Sequence, residues 1–142
     1  MLILITLTII FLVAGSRYGI QQTPKQIRQT FQTMFSGATQ VKWHKEYATY
    51  RADFQYEGHK KEAQFNKDGK WLRTKTELTI VEVPTPVRDA AREYCDWRID
   101  EVFFYEQARG VTAYYVIEFD QEMSPQEKQL RVRPDGTIVT AF

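Results

Sequence analysis

Few residues in this 142-residue chain have the types and spacing that catalysis requires. Cys95, the single cysteine, could act as a nucleophile if a histidine lay in reach and its thiol were acidified. It follows Tyr94 at the C-terminal end of an expected helix, where the dipole opposes a thiolate, and it reads as a structural thiol. His44 falls on an expected strand and His59 in a turn, with no recognised spacing to Cys95. A metal needs a set of ligands at suitable spacing. His44-Lys45-Glu46 and His59-Lys60-Lys61-Glu62 place lysines beside the candidates, and lysines repel a cation. Both histidines read as solvated. Asp100-Glu101 and Glu118-x-Asp120 are carboxylate pairs of the kind used in acid–base work, but they read as polar strand faces. No Gly-rich phosphate loop, HExxH or GxSxG motif occurs. The expectation is a non-enzymatic protein with no cofactor and no metal.

The stronger chemical signal is aromatic and cationic residues alternating along expected strands. Trp71, Arg73, Lys75 and Glu77 are expected on one face of a strand, with Leu72, Thr74, Thr76 and Leu78 on the other. Phe103 and Tyr105 lie opposite Val102 and Phe104. Tyr114 and Val116 lie opposite Tyr115, Ile117 and Phe119. Helices covering one face of such a sheet leave the other presenting Tyr, Phe and Trp with Arg beside them, the composition of protein-binding surfaces. Trp71, Arg73, Phe103, Tyr105 and Tyr114 are therefore the candidate site for a protein or peptide partner. The alternative is that this face is covered by a loop, a terminal segment or a second copy. Basic–aromatic alternation can also stack single-stranded nucleic acid, but a net charge of +1 supplies no field to draw in nucleic acid or a membrane surface.

The elements that position these residues come in two sets. Pro24-x-x-Ile27-Arg28 returns sixty positions on as Pro84-x-x-Val87-Arg88, and Ala38-x-x-Val41 returns sixty-one on as Ile99-x-x-Val102. Phe65-Asn66-Lys67-Asp68-Gly69-Lys70-Trp71 returns sixty-seven on as Val132-Arg133-Pro134-Asp135-Gly136-Thr137-Ile138. A period near sixty predicts two copies of one supersecondary unit. Thr23-Pro24-Lys25-Gln26 predicts a capped helix start with a capping box. Ile27, Phe31, Met34 and Phe35 form its apolar stripe, and Val87, Ala90, Ala91, Tyr94 and Trp97 form the matching one. After each helix the period changes to two. Tyr50, Ala52, Phe54 and Tyr56 alternate with polar residues, Asp68-Gly69 and Asp135-Gly136 mark hairpins, and Trp71–Val83 reads as one long strand. Each unit is thus a helix followed by about four strands. A lone helix over a meander leaves apolar surface bare. The predicted class is therefore α+β: two tandem helix-plus-antiparallel-strands repeats forming one joined sheet with both helices on one face.

Residues 2–14 (LILITLTIIFLVA) are almost all apolar and short for a membrane span. With Ala14, Gly15 and Ser16 following, they predict a secretory signal peptide over 1–16. An uncleaved anchor or a buried strand is the alternative. No cysteine follows for lipidation. A signal peptide places the protein in the periplasm or outside the cell, with no disulfide to help the core. The first unit spans 17–83 and the second 84–142. The first holds 12 Lys/Arg and 7 Asp/Glu and the second 7 and 11, net +5 against −4. The halves should attract each other, or a second copy head to tail. Self-association and a small apolar-ligand carrier are the remaining functional alternatives.

The tandem pattern, Val83-Pro84-x-x-Val87, Ala38-x-x-Val41-x-Trp43, Gly69-Lys70-Trp71 and Ala113-Tyr114-Tyr115-Val116-Ile117 resemble the PepSY-like exported proteins common in Bacteroidetes. The resemblance covers residues 24–142. It implies a fold similar to the β-lactamase inhibitor protein and kinship with propeptide domains that restrain peptidases. The sequence departs from the family at Phe35-Ser36 and Tyr94-Cys95, where a Phe-Pro or Tyr-Pro step usually ends the helix.

Overall fold

The computed structural model describes residues 23–121 and 126–141, so the expected signal peptide, the loop at Met123-Ser124-Pro125 and Phe142 lie outside the described residues. Helix α1 (Lys25–Met34) is followed by strands β1 (Thr39–Glu46), β2 (Thr49–Tyr56), β3 (His59–Asn66) and β4 (Trp71–Leu78). Helix α2 (Thr85–Tyr94) is followed by β5 (Arg98–Gln107), β6 (Tyr114–Asp120), β7 (Glu127–Val132) and β8 (Ile138–Ala141). The strands form one antiparallel sheet in sequence order, β1 to β8.

Both helices begin after a proline of nearly identical geometry, Pro24 (φ −52°, ψ 145°) and Pro84 (φ −56°, ψ 146°). Each proline carbonyl accepts the N–H groups three and four residues on, Ile27 and Arg28 or Val87 and Arg88. This corrects the expected capping box at Thr23 and Gln26. No side chain caps α1, and Gln26 Nε2 donates instead to the Lys67 carbonyl at 3.3 Å. Ile27, Phe31 and Phe35 are buried as expected, whereas Met34 is 37% exposed and leaves the packed stripe.

Pair register decides which residues share a face. Ala52 faces Ala63 and Ala63 faces Thr74. Thr76 faces Phe104, which faces Tyr115, which faces Val132. Because side chains alternate along a strand, Phe54, Phe65, Val102, Ile117, Phe119 and Leu130 share that face. α1 packs Ile27, Phe31 and Phe35 against Ala52, Phe54, Ala63 and Phe65. α2 packs Val87, Ala90 and Ala91 against Val102, Ile117, Phe119 and Leu130. Both helices thus cover the same face, above two separate apolar clusters. Between the clusters lie the buried Thr74 and Thr76, with Thr76 Oγ1 accepting from Lys61 Nζ at 3.0 Å.

The long strand expected over Trp71–Val83 stops at Leu78, and Ile80–Glu82 forms a single 3-10 turn. The capping box sits here. Thr79 N–H and Oγ1 both donate to Glu82 Oε2 at 2.7 Å, and His59 Nε2 stands 2.7 Å from Glu82 Oε1. The Thr79 N–H, then His59, lowers the Glu82 carboxyl from an ordinary 4.5 to about 2. A depressed folded pKa contributes stability that is full above the unfolded value and lost as pH falls through the folded one. Glu82→Gln is therefore expected to lower the thermal midpoint modestly at neutral pH and to converge with wild type near pH 2, read by melting curves across pH.

Candidate functional site

The helix-free face carries the side chains opposite those just described. Its rows run from Lys42 through Asp53, Glu62, Lys75 and Tyr105 to Tyr114, and from Glu77 through Phe103, Val116 and Arg131 to Thr140. The sheet therefore brings Arg73, Phe103, Tyr105 and Tyr114 together as the alternation predicts.

Trp71 is the exception. β3 and β4 pair Gln64 with Arg73 and Phe65 with Trp71, leaving Leu72 as an unpaired bulge residue. One inserted residue reverses the facing of everything before it. Trp71 therefore points to the helix side, where it packs on the first cluster and its Nε1 donates to Thr74 Oγ1 at 2.9 Å. The expected sharing of a face by Trp71, Arg73 and Lys75 is corrected on this ground. Trp71→Ala is expected to cost about 1–3 kcal/mol of folding stability, and Tyr105→Ala well under that. Chemical denaturation of the two variants distinguishes a packing residue from a surface one.

Phe103 is also less available than expected. It is 6% exposed and its neighbour Val116 4%, because Lys75 lies over the Phe103 ring with Nζ 3.8 Å from the centroid. Lysine stems cover apolar surface while keeping the charge wet. What remains accessible is a ladder of four side chains. Arg73 lies over the Tyr105 ring at 5.9 Å, Tyr105 stacks on Tyr114 at 5.1 Å and 13°, and Arg131 lies over Tyr114 at 4.6 Å. Cations on ring faces and offset stacking fix the rings without burying them. Gln64 Oε1 accepts from Arg73 Nε at 2.9 Å, and Gln107 Nε2 donates to the Tyr114 hydroxyl at 3.3 Å. Partial burial raises the Tyr105 phenol, with Arg73 opposing the shift, so the hydroxyl stays protonated at neutral pH. Arg131 escaped the sequence reading, although β7 alternation alone would have put it on this face.

The other end of β5–β7 is acidic. Asp100, Glu101, Glu118, Asp120 and Glu127 line a hollow of about 510 Å³. A bulge pairs Glu101 directly with Glu118. Burial, then Glu118 and Asp100, raises the Glu101 carboxyl. Arg98 reaches both Asp100 and Asp120. The two carboxylate pairs of the sequence thus meet at one place. Among the described residues, no group of three or more His, Cys, Asp or Glu is placed to hold a metal ion. The histidines are paired rather than merely solvated: His44 Nε2 lies 2.9 Å from Asp53 Oδ2 and His59 bonds Glu82. Cys95 is half-buried and packs on the second cluster.

No family model matches the chain, and no curated protein matches it. Solved structures do. A DUF2874 family protein from Bacteroides ovatus is 27% identical with a TM-score of 0.80, covering 85% of this chain and 87% of that one. A BLIP-like protein from Bacteroides fragilis is 26% identical with a TM-score of 0.79, covering 87% and 88%. A protein of Bacteroides eggerthii provisionally described as periplasmic is 22% identical with a TM-score of 0.78, covering 85% and 88%, a likeness of fold. The α+β architecture is therefore shared with a BLIP-like protein, in line with the fold that the PepSY-like resemblance implies. None of these descriptions carries the PepSY name. No helix among the described residues is long and apolar enough to cross a membrane.

Proposed function

We propose that this is an exported, non-enzymatic binding protein whose helix-free sheet face grips a protein or peptide partner, with a peptidase or an envelope protein as the partner class. The observation that carries the reading is the ladder of Arg73, Tyr105, Tyr114 and Arg131. Tyrosine and arginine are enriched at interface hot spots: the tyrosine ring brings large contact area at low entropic cost, and the planar guanidinium stacks and hydrogen-bonds at once. These four are held in place by one another and by Gln64 and Gln107, yet are only partly buried. Phe103 belongs to the site as the floor beneath Lys75, and Trp71 as a support from the other side.

Residues 1–16 act in this proposal as the signal peptide that delivers the protein to the periplasm or beyond. Units 17–83 and 84–142 are tandem copies within one domain. Support for the duplication comes from Pro24 and Pro84 sixty apart, and from bulges at Leu72 and Val139 sixty-seven apart, the offset of the two Asp-Gly turns. The peptidase as partner rests on the PepSY-like resemblance alone.

The test is capture of partners from envelope extract by the tagged full chain, beside Tyr105→Ala/Tyr114→Ala and an Arg92→Ala control on α2. A partner held by wild type and the control, and weakened about tenfold or more by the double variant, supports the face. Equal capture by all three sinks it. Oligomers that dissolve with salt would move the reading to self-assembly, since exposed charge pairs are screened beyond roughly 10 Å.

A further inference from the structure

Beside the ladder, where the β5–β6 connection meets β8, Gln107, Val111, Tyr114, Arg131, Arg133 and Val139 line an open hollow of about 300 Å³. We infer that it is a binding site for a carboxylate carrying a small apolar group, such as the C-terminus of a peptide ending in an aliphatic residue or a free branched-chain acid. The inference deepens the reading of the sheet face by naming the group recognised at one end of it.

Three observations converge. First, Arg131 Nε is buried without a hydrogen-bond partner. Arg51 Nε and Asp53 Oδ1 share that condition, but they stand 3.1 Å apart and neutralise each other. Arg131 faces the uncharged Val116 and Thr140 across its strand neighbours, and no carboxylate forms an ion pair with it among the described residues. A buried donor left unpaired is costly, and an arginine fork matches a carboxylate in shape and charge. Second, the other donors are free to help. The Tyr114 hydroxyl already accepts from Gln107, so its own proton is left to give. Arg133 adds a second guanidinium, whose charge is felt by Asp135 across the turn. Third, the rim is apolar where a ligand's tail would lie: Val111 is 53% exposed and Val139 45%. Val139 is the unpaired residue of the β7–β8 bulge, which turns it toward this hollow. The charge pattern along these strands favours an anion in this place, since the acidic residues that β5–β7 carry on this face gather at their opposite end.

The test uses the full chain and three probes: a short N-acetylated peptide ending in valine with a free carboxylate, the same peptide as its C-terminal amide, and isovalerate. Binding is followed by ¹H–¹⁵N NMR at the Arg131 Nε–Hε signal and the Val111 and Val139 amides. The free-acid peptide is expected to shift all three, and the amide to bind about tenfold more weakly or worse, as loss of a charged hydrogen-bond pair implies. Arg131→Lys, which keeps the aliphatic stem and one charge, and Val139→Asp, at an exposed position, should each weaken the acid about tenfold or more with the rest of the spectrum unchanged. Isovalerate binding as tightly as the peptide assigns the hollow to free acids, and tighter peptide binding assigns it to chain ends. Equal shifts from acid and amide, or none from either acid, overturn the inference. Partner capture that survives Arg131→Lys while acid binding is lost would leave the wider face standing by itself.

Discussion

Phe31→Ala is expected to cost about 3–5 kcal/mol of folding stability, the range for emptying a buried aromatic site. Phe31 is the hub of the first cluster. Its ring lies 4.9 Å from Phe54, 5.2 Å from Trp43, 5.4 Å from Phe35 and 6.3 Å from Phe65. Those four rings come from β2, β1, the C-terminal cap of α1 and β3, so this one side chain of α1 ties the helix to three strands. α1 has no side-chain cap and ten residues, too short to persist without packing. The stability comes from docking, and the docking runs through this ring. Urea unfolding should show a lower midpoint. The slope separates two outcomes. A preserved slope means that the continuous eight-stranded sheet makes both clusters unfold together. A reduced slope means that the first four strands come apart while the second cluster holds. A loss below roughly 1 kcal/mol would show that α1 contributes little to the fold.

Gly136→Ala is expected to cost about 2–4 kcal/mol, well above Gly58→Ala at about 1 kcal/mol. Both glycines have positive φ, +89° and +80°, so both substitutions carry the left-handed strain. They differ in what a methyl group meets. At Gly58 there is nothing within 4 Å, whereas at Gly136 the new carbon would stand 2.9 Å from the Pro86 carbonyl oxygen and 3.1 Å from the Pro86 ring. Backbone at the first turn of α2 cannot give way without lifting the helix. Gly69 is the intermediate case. Its closest neighbour is the flexible Gln26 side chain at 3.1 Å, so Gly69→Ala should fall between the two. Denaturation of the three variants in parallel isolates the packing contribution from the strain. Equal losses would mean that the turn does not press on the helix as the geometry has it.

Much of this architecture was legible because the signals are local. A proline followed by a 3.6-period stripe makes a helix wherever it stands, and Asp-Gly closes a hairpin from its own φ preferences. Two such sets in one order were enough for α+β with two helices. The expected capping box at Thr23 failed because a proline carbonyl already takes the first N–H groups and Gln26 finds a better acceptor on the β3–β4 turn. The real box, at Thr79 and Glu82, ends β4 early. It lay inside a run of Leu, Ile and Val that reads as strand.

The site was legible only in half, for a geometric reason. Tyr105 and Tyr114 come together because β5 and β6 pair without interruption between them, so alternation carried them to one face. Trp71 stands two residues from Arg73, and alternation put them side by side. The bulge at Leu72 turned the tryptophan to the core. Phe103 kept its face but lost its exposure to a lysine from the neighbouring strand. The order of residues by itself determined which elements form and what each strand offers on its two sides. Tertiary structure alone decided which side is used, because facing depends on pairing register, and an extra residue in one strand is defined only by the strand beside it.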